Sequence, residues 1–284
     1  MTPRWRSGRA GLAFAVLGAL LGTAAVLLVF APAAWLARAV AGATEQRLLL
    51  ADARGSLWQG SATPVLTGGV GSRDASALPG RLHWTLGLDG TAWRLRLRQD
   101  CCLNGELQLR LRPGLGGVQV ELLAPSPERA LGQWPAAWLA GLGTPWNTLQ
   151  PSGTLVLSSP GFSLRPAQGG GMQFSGRMRL DLEQLASRVS TLAELGTYRL
   201  DLTADNLPSA TAGEASSAAG PVPTRVQLAT RSGPLQLSGS GEWAAGRLRF
   251  RGQASAAPGF EAVLGNLLNI IGRRQGAVSL ISIG

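Results

Sequence analysis

Alternation of apolar and polar residues is the feature that most constrains this chain. Residues 94–98 alternate arginine with leucine, and residues 107–111 and 118–122 alternate leucine or valine with glutamine, arginine and glutamate. Successive side chains of a β-strand point to opposite faces, so this spacing places apolar groups on one face of a sheet and charged groups on the other. Beyond residue 31, no long run repeats apolar residues at helical spacing. The pattern predicts a mainly β chain.

Turn residues separate the alternating segments. Pro113 and the glycines that follow it predict a hairpin between residues 107–111 and 118–122. The other predicted strands are residues 178–182, 198–202, 226–229 and 277–283, with residues 234–237 pairing with 247–251 across Gly239, Ser240 and Gly241. These segments predict an antiparallel domain of repeated hairpins, as a curved open sheet or a sandwich.

Two segments have a helical pattern and are expected to cap the sheet. Residues 127–142 carry apolar residues at helical spacing, but Pro135 limits them to a short broken helix. Residues 262–271 form a compact amphipathic helix. Three stretches are predicted to be flexible: residues 67–79, 168–171 and 209–223, the last an exposed loop rich in Ser, Ala, Gly and Pro.

The uncharged run of residues 11–31 predicts one membrane helix. At about 1.5 Å per residue it spans roughly 30 Å, the thickness of a bilayer core. Arg4, Arg6 and Arg9 precede the run, and Arg38 follows it at a greater distance. Positive charge is retained in the cytoplasm, so residues 1–10 are expected there, with residues 11–31 in a bacterial inner membrane and residues 32–284 as a periplasmic β domain.

A cleaved signal peptide is the alternative, since Ala41, Gly42 and Ala43 are residues of the kind that signal peptidase accepts. The apolar run is longer than the usual apolar segment of a signal peptide, which favours the anchor. Within the run, Gly18 and Gly22 form a GxxxG pattern that either marks a helix–helix interface of a homo-oligomer or reflects composition.

The formal charge of +10 invites a nucleic-acid function, and every basic residue is arginine. Most of these arginines alternate with apolar residues and form no phosphate-binding stripe. A solvated strand face explains them better, and no nucleic-acid partner is predicted. The neighbouring cysteines Cys101 and Cys102 would point to opposite faces of a strand, which favours two free thiols over a vicinal disulfide.

No catalytic or metal-binding constellation is visible. His83 is the single histidine, no serine lies in a GxSxG motif, and the chain has no lysine for a P-loop. Asp181 and Glu183 share a strand face without a third ligand. We therefore predict a non-enzymatic protein without a cofactor or metal. Seven of the nine tryptophans lie beyond residue 45, where core packing is the simplest role for most of them.

Four short motifs resemble the family of type II secretion system protein N, also called general secretion pathway protein N. They are residues 55–62, 192–200, 233–243 and 267–274, and with the single anchor the likeness covers nearly the whole chain. The family-like positions are Gly55, Trp58, Gly60, Gly196, Tyr198, Gly233, Pro234, Gly241, Trp243, Gly272, Arg273 and Arg274.

The resemblance implies an inner-membrane accessory subunit of the machine that exports folded proteins, with an AsmA-like fold of repeated strands. It implies other secretion subunits as partners, and neither a cofactor nor catalytic residues. A periplasmic adaptor is the function that we expect. A periplasmic lipid carrier of AsmA-like type, with lipid held against the apolar face, is the alternative.

Overall fold

The computed structural model describes residues 8–114, 116–123, 130–166, 172–204, 223–244 and 247–284. The predicted flexible stretch 168–171 and nearly all of the predicted loop 209–223 lie outside these residues, as do Arg4 and Arg6. Residues 67–79, also predicted to be flexible, contain a short strand.

The chain is mainly β, as predicted. The strands are β1 (Leu48–Gly55), β2 (Gln59–Thr67), β3 (Ala75–Ala77), β4 (Leu82–Asp89), β5 (Ala92–Arg98), β6 (Glu106–Gly114), β7 (Gly117–Leu123), β8 (Gly132–Pro135), β9 (Pro151–Pro166), β10 (Met172–Ser187), β11 (Gly196–Ala204), β12 (Thr224–Ser232), β13 (Leu235–Ala244), β14 (Arg247–Ala256), β15 (Arg273–Gln275) and β16 (Val278–Ile283). The helices are α1 (Gly8–Val29), α2 (Ala33–Ala43), α3 (Trp146–Leu149) and α4 (Glu261–Ile271), with a 3₁₀ helix at Ala136–Leu142.

All these strands join one antiparallel sheet, in the order β1-β2-β4-β5-β6-β7-β9-β10-β11-β12-β13-β14-β16-β15. Strand β3 pairs with β2, and β8 pairs with β9. Each strand contacts its neighbours in the sheet, and within the described ranges no second sheet packs face to face on it. Of the two predicted forms, the continuous sheet is therefore correct and the sandwich is wrong.

The pairing register gives the sheet two chemically different faces. Leu86, Leu95, Leu109 and Leu122 lie side by side across β4 to β7. Val120, Leu164 and Phe174 continue this face from β7 to β10, and Leu180, Leu200 and Leu228 continue it to β12. We call this the leucine face. The opposite side, the arginine face, carries a second set of paired residues: Gly87, Arg94, Arg110 and Glu121 in one row, and Arg179, Asp201, Gln227, Ser240 and Arg251 in another.

Helices cover the leucine face near its two ends. Leu264, Leu267 and Leu268 of α4 are buried against a cluster that includes Tyr198 and Leu235. At the other end, Ala33 of α2 packs with Ala62 and Trp84. Full burial of a leucine side chain contributes about 1.5–3 kcal/mol, so α4 alone supplies a substantial share of the local stability. The prediction of a helix at residues 262–271 is confirmed.

Two predictions about local structure are wrong. Residues 127–129 lie outside the described residues; of the others, residues 132–135 are strand β8, and the part after Pro135 is a 3₁₀ helix. Pro135 separates the two because its ring fixes the backbone before the helical turns. Gly239, Ser240 and Gly241 lie inside β13, paired with β14 residues Gly252, Arg251 and Phe250, and form no turn. The glycines leave room there for the Phe250 side chain, since a Cβ on Gly239 would lie 2.4 Å from its ring.

The prediction of two free thiols is also wrong, because Cys101 and Cys102 form a vicinal disulfide. The two residues lie in the turn between β5 and β6, so the strand geometry that would separate their side chains does not apply. Cys101 is exposed and Cys102 is buried, and the Cys102 carbonyl accepts a 2.8 Å hydrogen bond from the Gln133 backbone N–H.

Helix α1 includes most of the run that the sequence predicts to be a membrane anchor. Judged over the residues described, none of the helices qualifies as long and apolar enough to cross a membrane. The membrane span at residues 11–31 therefore stays a prediction. Ala41, Gly42 and Ala43, the alternative cleavage site, form the end of α2.

Candidate interaction surfaces

The residues considered for catalysis or metal binding do not form a site. His83 is exposed on β4, next to Arg98 in the pairing register. The Asp181 carboxylate accepts a 2.6 Å hydrogen bond from Arg199 Nε. Glu183 is exposed and takes no part in this hydrogen bond. This bond raises the pKa of Arg199, so the pair is an ion pair of the arginine face. In the described part of the chain, no three His, Cys, Asp or Glu residues cluster as metal ligands would.

Each arginine of β5 and β6, on the first half of the arginine face, lies near a carboxylate. Arg94 lies 2.6 Å from Asp89, and this hydrogen bond lowers the pKa of the aspartate. The remaining pairs are Arg96 and Arg98 with Glu106, Arg110 and Arg112 with Glu121, and Arg110 with Asp89, at 2.8 to 3.9 Å. Exposed pairs of this kind contribute little stability each, but three carboxylates here offset part of the charge of five arginines.

The second half of the same face is balanced in part. Arg179 pairs with Asp201 at 2.9 Å, and Arg199 pairs with Asp181. The five arginines on β12 and β14 have no ion pair or side-chain hydrogen bond within the described residues: Arg225, Arg231, Arg247, Arg249 and Arg251. The sequence alternation indicated their strand positions, but the missing partners follow only from the pairing register.

Among the described residues, α2 and α4 cover the two ends of the leucine face, and the 3₁₀ helix contacts β2 and β9. Away from these helices its side chains, among them Leu109, Leu111 and Leu164, are half-buried. Strand β7 pairs with β9 at two positions, Val120 with Leu164 and Glu121 with Ser163. Beside this short pairing lies a depression of about 400 Å³ that Leu122 and Phe162 line with Arg177. The Phe162 and Phe174 rings stack there with centroids 6.0 Å apart.

The first group of family-like residues forms a tight corner at the start of the sheet. Gly55 pairs with Gly60, and a Cβ on Gly60 would lie 2.5 Å from Trp84 Cζ2. The Trp84 indole N–H donates a 3.1 Å hydrogen bond to the Leu57 carbonyl, and Trp58 stacks on Trp93 at 5.2 Å. Trp84 is fully buried, so these glycines serve the close packing of an aromatic side chain.

A second corner brings Gly196, Tyr198, Gly233 and Pro234 together near α4. A Cβ on Gly233 would lie 2.2 Å from the Gly196 Cα, so the two backbones touch. The Tyr198 hydroxyl lies 2.9 Å from the carbonyl oxygens of Leu195 and Leu235. The Pro234 carbonyl accepts a 2.8 Å hydrogen bond from the Ala257 N–H, which ties β14 to this corner.

The other family-like residues lie apart from both corners. Gly241 packs under Phe250, and Gly272 approaches the Leu280 carbonyl closely. Trp243 is 45% exposed, whereas Arg273 and Arg274 lie in the short edge strand β15. The twelve positions thus form no single site. Of the seven tryptophans beyond residue 45, Trp84 is fully buried, Trp243 is exposed, and the remainder are half-buried: Trp58, Trp93, Trp134, Trp138 and Trp146.

Gly18 and Gly22 lie on α1, and no atom approaches within 4 Å of a Cβ built on either. The single chain supplies no helix against this surface, so their interface role stays a prediction.

One comparison identifies the family of this chain. Residues 46–280 match the family model described as type II secretion system (T2SS), protein N. No curated protein and no solved structure matches the chain. The matched segment runs from just before β1 into β16 and so contains nearly the whole sheet with both glycine corners. The chain is a type II secretion system component and belongs to the protein N family.

Proposed function

We propose that the chain is a non-catalytic adaptor of the type II secretion system, held in the inner membrane by α1 with its sheet in the periplasm. The family match over residues 46–280 carries the proposal, because it includes nearly the whole sheet that would contact other subunits. Folded proteins leave the periplasm through this system, so an adaptor there would contact other secretion subunits or the exported protein.

The exposure of α1 supports the anchor. Leu12, Phe14, Leu20 and Leu21 are each more than 60% exposed, and Phe30 just after the helix is 76% exposed. An exposed apolar surface of this kind is unfavourable in water and favourable in the hydrocarbon of a bilayer. The uncharged sequence of residues 11–31, with arginines ahead of it, supports an orientation with the N-terminus in the cytoplasm.

The two-faced sheet supports an adaptor role. A protein that joins others needs distinct surfaces, and here one face is charged and the other apolar over its open middle. The described helices α2 and α4 pack on the leucine face, and neither lies against the arginine face.

Purification of the tagged full chain from membranes of a cell that expresses the whole secretion system tests the proposal. We expect other secretion subunits to copurify after mild detergent extraction, and to be missing from a matched preparation of an unrelated tagged protein with one membrane helix. The absence of every other secretion subunit, with the anchor intact, would contradict the adaptor role.

A lipid carrier is the second candidate, and the open part of the leucine face favours it. The depression beside Phe162 has an apolar side and is also lined by Arg177 and Glu121, which would suit an acyl chain with a polar head group. Mass spectrometry of gently purified protein tests this candidate. Stoichiometric lipid that is lost in Phe162→Ser would support it, and lipid-free protein would contradict it.

A further inference from the structure

Within the described residues, strands β12 and β14 carry arginines without ion pairs, as β10 does at Arg177, and so differ from β5 and β6 on the same face. On β5 and β6 each of the five arginines lies within 4 Å of a carboxylate, whereas Arg225, Arg249 and Arg251 have no such partner among the described residues. All three are exposed. Uncompensated guanidinium groups that gather on one surface attract anions more strongly than paired ones do.

The register fixes the spacing of these three arginines. Arg225 and Arg249 both pair with positions on β13 at Glu242, so they lie two strands apart, or roughly 10 Å at the usual strand spacing. Arg251 is two residues beyond Arg249 on the same side of β14, at about 7 Å. Glu242 lies between Arg225 and Arg249 but forms no ion pair with either. Of the three, Arg251 borders a low area of the sheet, and Arg225 and Arg249 lie one row of residues beyond it.

That low area is a shallow depression of about 550 Å³. Small side chains form its floor on this face, namely Ala229, Ser238 and Ser240, and amide side chains from Gln227 and Gln253 border it beside Arg251. None of these polar side chains has a hydrogen-bond partner in the described part of the chain. Their donors and acceptors are thus free for a ligand.

We propose that this depression binds an extended acidic segment of a partner protein. Carboxylates of the segment pair with Arg225, Arg249 and Arg251, and its backbone lies over the serine floor, where Gln227 and Gln253 hydrogen-bond to peptide groups. The proposal deepens the adaptor role by naming the chemistry of one partner, and it rests on that role for its biological meaning.

Two other anionic surfaces fit the depression less well. The bordering residues include no aromatic side chain on which a nucleic-acid base could stack. A bilayer spreads its head groups over a wide flat area, whereas a single extended chain fits a depression that runs across strands β12 to β14.

Binding of a fluorescent peptide to the purified full chain in neutral detergent tests the proposal. The probe alternates glutamate with serine, and the control peptide has glutamine in place of each glutamate. We expect the glutamate peptide to bind and the glutamine peptide to bind at least about tenfold more weakly, with affinity falling as salt rises from about 50 mM to about 500 mM.

The affinity of two double variants for the glutamate peptide tests whether the peptide binds at this depression. Arg249→Gln with Arg251→Gln is expected to weaken binding of the glutamate peptide by about tenfold or more. Arg96→Gln with Arg112→Gln removes the same charge from exposed positions of the first half, where carboxylates already occupy the arginines, and is expected to change the affinity less than about threefold. Equal loss in both double variants would overturn the proposal, since net charge alone would then explain binding.

Binding of two other anionic probes tests the class of ligand. The probes are single-stranded DNA of similar length and vesicles with anionic lipid. Tight binding of either one, without binding of the glutamate peptide, would overturn the proposal. The assay uses purified protein, so its failure leaves the adaptor role intact. Conversely, peptide binding with no copurifying secretion subunit would contradict the adaptor role and not the site.

Discussion

The Tyr198 hydroxyl lies 2.9 Å from the carbonyl oxygen of Leu235, 37 residues away in sequence. Tyr198 starts the well-paired part of β11, and Leu235 starts β13, so this contact joins two strands separated by β12. Both side chains are almost fully buried under α4. A single phenol group therefore fixes the corner at which Gly196 meets Gly233.

Removal of this hydroxyl should destabilise the fold. In Tyr198→Phe the Leu235 carbonyl loses the phenol donor, whereas the Leu195 carbonyl keeps a 3.0 Å hydrogen bond from the Leu235 N–H, and we expect the free energy of unfolding to fall by about 1–3 kcal/mol. Urea unfolding followed by tryptophan fluorescence measures the change. Unaltered stability would contradict a stabilising role of the hydroxyl.

The same tyrosine predicts how stability depends on alkaline pH. Burial, with a smaller effect from Glu194, raises the pKa of Tyr198 well above its ordinary value of 10.0. The folded state then holds the proton more tightly than the unfolded state, so stability is fully present below pH 10 and is lost as the pH rises above it. Tyr198 is the single tyrosine of the chain, so tyrosinate absorbance reports on it alone. Ionisation near pH 10 in the folded protein would contradict the buried placement.

The first glycine corner yields a prediction with an internal control. Gly60→Ala places a Cβ 2.5 Å from Trp84 Cζ2 and 2.6 Å from the Arg54 carbonyl, and we expect it to cost about 1–3 kcal/mol. Gly87→Ala, on neighbouring β4, meets nothing within 4 Å and should leave stability within about 0.5 kcal/mol. Similar unfolding midpoints for the two variants would refute this packing.

The vicinal disulfide predicts the thiol chemistry of the protein. Cys101 and Cys102 should be unreactive toward a thiol label until the protein is reduced. After reduction, exposed Cys101 should label faster than Cys102, which is 3% exposed. Mass spectrometry of the labelled peptides distinguishes the two cysteines. Rapid labelling without reductant would show that the bridge is absent in solution.

The sequence predicted local strands well and long-range relations poorly. Period-two alternation located β6 and β7 and their hairpin, because strand faces follow from neighbouring residues alone. It did not show that Gly239 and Gly241 lie inside a strand, since that depends on Phe250 of β14, which needs the space above them. The Cys101–Cys102 bridge was missed because the pair was assigned strand geometry and lies in a turn.

For the candidate surfaces too, the sequence predicted what depends on neighbouring residues and missed what depends on distant ones. The alternating arginines could be assigned to one face from the sequence, but the absence of a partner for Arg249 depends on which strand lies beside β14 and in which register. The family-like glycines were recognised as positions without a role. Their contacts with Trp84 and with Gly196 required the folded chain, because the partners come from distant segments.

Secretion by a cell that lacks this chain tests the adaptor role most directly. The measurement is the fraction of a folded export substrate found outside the cell and in the periplasm, with the deletion complemented by the full chain or by the chain without residues 8–31 behind a cleavable signal. The adaptor account predicts that substrate accumulates in the periplasm of the deletion strain, that the full chain restores export, and that the unanchored chain restores it poorly. Normal export without any copy of the chain would contradict the account.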